Sequence, residues 1–244
     1  MKNKTSFGKF AKSWDEKTEK GIRSSHNTIK GVFELLGTVK GKNVYEIACG
    51  NGFLARQLVE QGAKEVWASD ISSELIAIAK SKYDEGGINY LVRDGIDIKG
   101  FPKDYFDAVV LHQGVYYIEN IDALCKAVYK ILKPGGSFIF TATHPLIHDA
   151  RLEMGDETDA RKENLRYLKI FTRHAKKEWS IGGKKIIAKY DFYRRPMSFY
   201  INACGRNKLY ISNLLEPATL NKVKNKPTKT TIPSSLIIKA AKCG

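Results

Sequence analysis

A chain of 244 residues that is 43% hydrophobic and 11% aromatic can bury one large or two small cores, which excludes general disorder. It has no run of about 18 apolar residues, so no membrane span is expected, and its basic start, MKNKTSFGKFAKSW, lacks the apolar centre of a secretion signal. The net charge of +15 is unevenly spread: residues 1–43 carry ten Lys and Arg against four Asp and Glu, residues 44–143 ten against thirteen, and residues 144–244 twenty-one against nine.

Basic flanks around a mildly acidic middle attract nucleic acid, an acidic surface or an anionic small substrate, or simply keep the chain soluble. The cysteines at 49, 125, 204 and 243 show neither CxxC nor zinc spacing, so no metal site is expected. A reduced, cytoplasmic setting without a structural disulfide follows as the default.

From Phe7 to Leu36 the spacing reads as helix, with Phe33, Leu35 and Leu36 ready to pack on a core. Val44 to Ala48 reads as a short buried strand, and Gly52 to Gln61 as a helix. Glu65 to Ser69 is a second strand closed by Asp70, and Ser72 to Tyr83 a helix with Leu75, Ile76 and Ala79 on one face. Ile88 to Val92 and Tyr105 to Leu111 read as the third and fourth strands. Ile121 to Leu132 is helical, with Leu124, Val128 and Leu132 spaced four apart. After the turn Lys133-Pro-Gly-Gly136, Ser137 to Thr143 is a fifth strand. Strands that alternate with helices and are nearly all apolar imply a parallel sheet covered on both faces.

After Pro145 the pattern changes. Residues 145–184 are polar and weakly helical, most clearly from Glu163 to Phe171. Lys185 to Tyr193, Leu209 to Leu215 and Ser234 to Ala240 read as strands, and Met197 to Ala203 as a short helix. Residues 221–231, NKVKNKPTKTT, read as a solvated loop.

In an open parallel sheet, ligands bind beyond the carboxyl ends of the strands. The first strand runs into Gly50-Asn51-Gly52, whose glycines allow a tight turn and close approach to a ligand, and the following helix offers unpaired N–H groups. Gly50-x-Gly52-x-x-Ala55 with Asp70 fits a dinucleotide fingerprint, and hence a nicotinamide enzyme. Three features point elsewhere. Glu46 stands where a pyrophosphate would be repelled and a cationic group welcomed, Asp94 follows the third strand where it can accept from an exocyclic amine, and Leu132-Lys-Pro-Gly-Gly136 precedes the fifth strand.

VYEIACGNG, WASDIS, VRDG, FDAVVLHQGVYYI and ILKPGGSFIF, in this order over roughly residues 40–143, resemble the successive motifs of class I S-adenosylmethionine-dependent methyltransferases. The branch they look like is the small-molecule, type 11 or UbiE-like one. FYRRPMSFYINA, LLEP and P-x-x-L-I-I-K look more loosely like the C-terminal half of such members, which usually carry a Gly-Phe pair where Lys208-Leu209 stands here. The resemblance implies a Rossmann-like, doubly wound α/β fold. Its seven-stranded sheet would be mostly parallel, with the last hairpin strand antiparallel, N-terminal helices and an insert after strand 5. It divides the chain into a helical cap (1–43), a cofactor-binding core (44–143), a substrate-lid insert (144–184) and C-terminal strands completing the sheet (185–244).

By position, the resemblance gives Glu46 and the loop Ala48, Cys49, Gly50, Asn51 and Gly52 to the methionine part of S-adenosylmethionine. Asp70 would accept from both ribose hydroxyls, Ile71 would pack on the adenine, and Asp94 beside Gly95 would take its amino group. His112 and Gln113 would line the reactive side, with Trp14 reaching the cofactor from the N-terminal helix. The residues also allow plainer roles: Glu46 as an ion-pair partner, Asp70 as a helix cap, Asp94 as a turn residue, His112 as satisfied core and Cys49 as filler. The implied product is S-adenosylhomocysteine.

Methyl transfer from a sulfonium is an in-line displacement in which the protein mainly positions the acceptor, and a base is needed only if the acceptor loses a proton. Candidates for a base or orienting group are His144, followed by Pro145 as in similar small-molecule members, then Asp149, Tyr117 and Tyr116. Trp14, Tyr167, Phe171, Trp179 and Tyr193 suit an aromatic lid, and Arg194 and Arg195 an anion clamp. The expected partner is a small anionic or amphipathic methyl acceptor, with nucleic acid, a non-catalytic binding module and self-association of the flanking helices as alternatives.

Overall fold

The computed structural model describes residues 11–82, 86–144, 170–181, 184–217, 220–223, 226–229, 233 and 235–244. Asp149, Tyr167 and most of the helical stretch expected over 163–171 lie outside them, as do the side chains of Trp14, Phe171 and Trp179.

Seven strands form one sheet in the order β3-β2-β1-β4-β5-β11-β8: β1 (Asn43–Ile47), β2 (Glu65–Asp70), β3 (Ile88–Val92), β4 (Phe106–Leu111), β5 (Leu132–Thr143), β8 (Leu209–Leu215) and β11 (Ser235–Lys242). The pairs from β3 through β5 are parallel, while β11 lies antiparallel between β5 and β8. β8 therefore runs in the same direction as β1 to β5, and six carboxyl ends open on one edge.

β1 lies inside the sheet between β2 and β4, and its period-two alternation builds both halves of the core. Tyr45 and Ile47 join Phe106, Leu111, Phe138 and Phe140 on the face covered by α4 (Ile121–Ile131) and α5 (Met197–Arg206). Val44 joins Val66, Ala68 and Val110 on the face covered by α1 (Ala11–Leu36), α2 (Phe53–Glu60) and α3 (Ser73–Lys82). Each large side chain so buried stabilises by roughly 1.5–3 kcal/mol. Tyr45, Trp67, Phe101 and Phe106 meet edge-on or stacked, with ring centroids 4.9–6.4 Å apart.

Local chemistry sets the boundaries. Asn120 caps α4 by accepting from the Ala123 amide at 2.9 Å, and Ser72 caps α3 by accepting from the Leu75 amide at 3.2 Å. The turn expected at 133–136 lies inside β5. Phe106 pairs with Leu132 but Ala108 with Ser137, so the extra residues form an irregularity within one strand, and Gly135 takes φ 75 to allow it. Lys208 adopts the left-handed region at φ 59 before β8.

Two expectations are corrected. The strand read at 185–193 does not complete the main sheet. It belongs to β7 (Lys184–Arg194), which pairs antiparallel with β6 (Phe171–Ile181), so that end of the stretch read as helical is strand. The partner strand lies within the stretch dismissed as polar and weakly helical, because Lys and Glu hid its alternation. The loop read at 221–231 contains a second small hairpin, β9 (Leu220–Val223) with β10 (Lys226–Lys229).

The end of β11 is tied down by one buried cation. Lys242 Nζ donates to the carbonyls of Tyr129 at 2.9 Å and Leu132 at 2.8 Å, pairs with Asp104, and lies 4.4 Å from the centre of the Tyr129 ring. Replacing it leaves two interior carbonyls without their donor. Lys242→Ala is expected to lower unfolding stability by about 2–3 kcal/mol, read as a shift in urea midpoint at constant slope.

Candidate active site

Sheet order reverses between β1 and β4, whose carboxyl ends carry Ala48–Gly52 and His112–Gly114. Ala48 and Gln113 are both left-handed without being glycine, at φ 55 and 51. Such conformations cost on the order of 1 kcal/mol each and concentrate at functional sites. Gly114 fits between the strands: a Cβ there would lie 2.9 Å from the Ala48 Cβ and 2.8 Å from Leu111 Cδ1. The Gln113 amide donates to Thr141 Oγ1 at 2.6 Å, which holds the bend against β5.

The loop after β1 is fixed by its own backbone. The Cys49 amide donates to the Ser69 carbonyl at 2.9 Å and the Gly52 amide to Cys49 at 3.0 Å. Gly52, at φ 73, caps α2, and a Cβ on it would collide with the Tyr90 hydroxyl. Gly52 has no side chain to cap α2; of the first-turn amides, that of Ala55 meets the Glu46 carboxyl, and the ones before it suit an anionic group. The Cys49 thiol is pushed well up by burial and then by Glu46 and Asp70, so it stays protonated and acts as filler rather than nucleophile.

Glu46 follows Val44 on the α2 side of β1 and is buried. Burial drives its carboxyl from the usual 4.5 to about 8, Asp70 adds to this, and the Ala55 amide opposes it. Its Oε2 has no hydrogen-bond partner among the described residues. Asp70 is held open beside the loop: Oδ2 accepts from the Gly50 amide at 3.0 Å and Oδ1 from the Ser72 amide at 2.9 Å. Burial raises its pKa, and these amides pull it back. Ser72, rather than Asp70, is the cap of α3. Asp94 is exposed, with Oδ1 accepting from the Ile96 amide at 3.1 Å in a local turn. Gly95 cannot carry a side chain, because its Cβ would lie 2.5 Å from Ile47 Cγ2.

Beside these acids the chain exposes apolar surface. Ile71 is 50% exposed, Val92 57% and Ile96 38%. Val92 pairs with Asp70 across β2 and β3. A flat apolar ring would cover this patch while its polar edge met Asp94. Val92 and Ile96 were missed in the sequence; the available signal was an apolar residue at a strand's carboxyl end, next to an acid.

Past β4 the site turns aromatic. Val115–Tyr117 forms a single 3-10 turn. Tyr116 stacks on Phe192 at 4.7 Å and meets Tyr117 at 4.6 Å, and Tyr117 lies 5.7 Å from Tyr190. Burial raises both phenols, so neither ionises near neutrality. His112 stands before this cluster. Burial drives its imidazole to about 4, so it is neutral, and Nε2 has no partner among the described residues.

Arg195, expected from the sequence as part of an anion clamp, is partly engaged within the protein, with Nη1 left without a hydrogen-bond partner among the described residues. It is buried, donates through Nη2 to the carbonyls of Ile118 at 2.9 Å and Glu119 at 2.6 Å, and lies between the rings of Tyr193 and Phe199 at 4.9 and 5.2 Å. Tyr193 is thereby a packing partner, and Arg194 is buried at the end of β7. His144, at the carboxyl end of β5, is buried against Glu216 at 2.9 Å, just past the parallel end of β8. Glu216 was missed as its partner because 72 residues separate them. Asn51 meets another missed residue, Asp15 of α1, at 2.8 Å. Among the described residues no group of three or more His, Cys, Asp or Glu could hold a metal, and no helix is long and apolar enough to cross a membrane.

Residues 45–140 match the family described as "Methyltransferase domain". The ubiquinone/menaquinone biosynthesis C-methyltransferase UbiE of Neisseria meningitidis is 28% identical over 159 residues, covering 56% of this chain and 64% of that protein. The match thus spans less than two thirds of that relative's length. Among solved structures, an S-adenosylmethionine-dependent methyltransferase from Clostridium acetobutylicum superposes with a TM-score of 0.67 at 18% identity, covering 96% of this chain and 99% of that one. The geranyl diphosphate C-methyltransferase of Streptomyces coelicolor, solved with Mg2+, geranyl diphosphate and S-adenosylhomocysteine, superposes at 0.58 with 13% identity, covering 88% and 77%.

The burial of Glu46 has a testable sign. Its folded pKa lies above the unfolded one, so the folded state holds an extra proton between about pH 4.5 and 8 and loses stability as pH rises through that window. Glu46→Gln is expected to stabilise the ligand-free protein by roughly 2–4 kcal/mol at pH 8, with the gain vanishing near pH 4.5. Urea midpoints of the two proteins across this range check it.

Proposed function

We propose that this chain, which belongs to the class I S-adenosylmethionine-dependent methyltransferases, methylates a small amphipathic acceptor whose body is apolar and carries rings or unsaturation. Bound in the crevice, the cofactor supplies a methyl group already activated on a sulfonium centre. The chain's own residues bind, orient and exclude water. Glu46, with its unpartnered oxygen, suits an ammonium, and the bare N-terminus of α2 suits a carboxylate. Asp70 keeps lone pairs for two hydroxyls, and Ile71, Val92 and Ile96 suit the flat face of a purine whose amino group meets Asp94. The charge order of this edge runs from acid to helix end to acid to apolar patch, and a nicotinamide dinucleotide would bring its pyrophosphate against Glu46.

The acceptor side rests on one observation: Tyr116, Tyr117, Tyr190 and Phe192 form an aromatic wall just after the His112–Gly114 bend, while Arg195 Nη2 is held by backbone carbonyls. Aromatic walls hold ring or isoprenoid surfaces and release little energy to a compact anion. The similar proteins named for quinone biosynthesis and geranyl diphosphate methylation agree with such acceptors. Alignment by a rigid wall can lower the barrier by roughly 7–11 kcal/mol, so no ionised group is obligatory. If the acceptor must lose a proton, His144 held by Glu216 and neutral His112 are the candidates for a base.

The net charge of +15 favours a second reading, with nucleic acid as acceptor. Methyl transfer from labelled cofactor into a metabolite extract and into total RNA separates the two. The expected result is a labelled apolar metabolite; label in RNA, with binding that falls steeply with salt, would replace the proposal. Two outcomes sharpen it. Tyr116→Ala and Phe192→Ala should each raise KM for the acceptor about tenfold and leave cofactor affinity within twofold. Affinity for S-adenosylhomocysteine should rise with pH up to about 8, as Glu46 ionises to meet the ammonium, and Glu46→Gln should flatten that rise; calorimetry at stepped pH reads both.

A further inference from the structure

Helix α1 is anchored differently at its two ends. Its last turns bury Ile29, Val32, Leu35 and Leu36, and Lys239 Nζ donates to the Leu35 carbonyl at 2.6 Å. Near its N-terminal end the contact is polar and made by Asp15. One oxygen of that carboxylate, Oδ1, accepts from Asn51 Nδ2 at 2.8 Å and from Lys82 Nζ at 2.5 Å. Asn51 is the buried middle residue of the glycine loop, and its carbonyl accepts from Arg56 Nη1 at 2.8 Å. Lys82 is the last residue of α3, the helix that follows Asp70. A single oxygen therefore joins α1, the loop beneath the crevice and the helix beside it.

We propose that Asp15 is a latch: it holds the N-terminal half of α1 against the glycine loop, and cofactor and product leave when it releases Asn51 and Lys82. The latch rests on the reading of this crevice as the cofactor site. The two contacts contribute unequally. The ion pair to Lys82 is partly exposed, with side chains 27% and 18% accessible, so it is weak and screened by salt. The bond to Asn51 reaches into a buried loop, where a lost acceptor is not readily replaced by water. Asp15 grips the loop, so its effect falls on departure rather than arrival.

Release of S-adenosylhomocysteine from the full chain, followed by stopped-flow displacement, tests this. Asp15→Ala should speed release about tenfold with the association rate within twofold, whereas Asp15→Asn, which keeps an oxygen for Asn51, and Lys82→Ala should each give about threefold. Hydrogen exchange over residues 11–20 of the ligand-free protein should rise in Asp15→Ala while the thermal midpoint stays within about 2 °C, a pattern that loss of fold would not give. Release unchanged within twofold in both Asp15 variants would overturn the latch, as would exchange that rises only together with global melting. Wild-type protein that takes up no S-adenosylhomocysteine overturns the cofactor assignment itself, a result distinct from a ligand that binds and leaves both proteins at one rate.

Discussion

A buried carboxyl group with one oxygen left unpartnered among the described residues is the constraint around which this fold is arranged. Glu46 cannot turn outward, because the alternation that buries Val44 on the α2 side and Tyr45 and Ile47 on the other assigns it to the α2 side. Burial holds it protonated up to about pH 8, with a second acid on the neighbouring strand adding to this and one backbone amide and the Arg56 charge opposing it. A sequence selected only for stability would place an apolar residue there. A buried acid at the carboxyl end of a central strand is therefore better explained by a cationic ligand that arrives after folding.

The same edge carries the fold's backbone strain. Ala48 and Gln113 take left-handed conformations at the ends of adjacent strands, with Gly114 wedged beside Ala48. Neither bend is needed to pair β1 with β4, since the ladder runs from Val44 to Glu46 before either begins. The bends turn the chain sharply off the sheet and leave a crevice between the two loops. Gly52 adds to it by leaving room for Tyr90 and an uncapped helix end. Strain, missing side chains and a buried acid with an unpartnered oxygen coincide where sheet order reverses.

How much of this was legible depends on sequence separation. The core strands were read to within a residue or two, except for β5, because short apolar runs punctuated by glycine and acids specify them locally. Glu46, Asp70, Gly52 and Gly95 were legible for the same reason: each lies within a few residues of a strand end. β6 was lost because Lys, Glu and Ser along it mask its alternation, and its partner β7 decides its state. The anchoring of Arg195 Nη2 was not legible because its acceptors, the Ile118 and Glu119 carbonyls, lie 77 and 76 residues away. Glu216 and Asp15 were invisible for the same reason, since nothing near them in sequence names His144 or Asn51.

That asymmetry also explains how the basic charge acts. With Arg195 committed to carbonyls and closed between two rings, and Lys242 committed to Tyr129 and Leu132, two of the best-buried cations stabilise structure rather than bind a ligand. An excess of Lys and Arg like that of residues 144–244 can raise the local concentration of anionic molecules without fixing their orientation. Orientation falls to the aromatic wall, whose rings are gathered from the turn after β4 and from β7. An acceptor with a charged end and an apolar body would be drawn by the first and aligned by the second, and only the second brings its reacting atom into line.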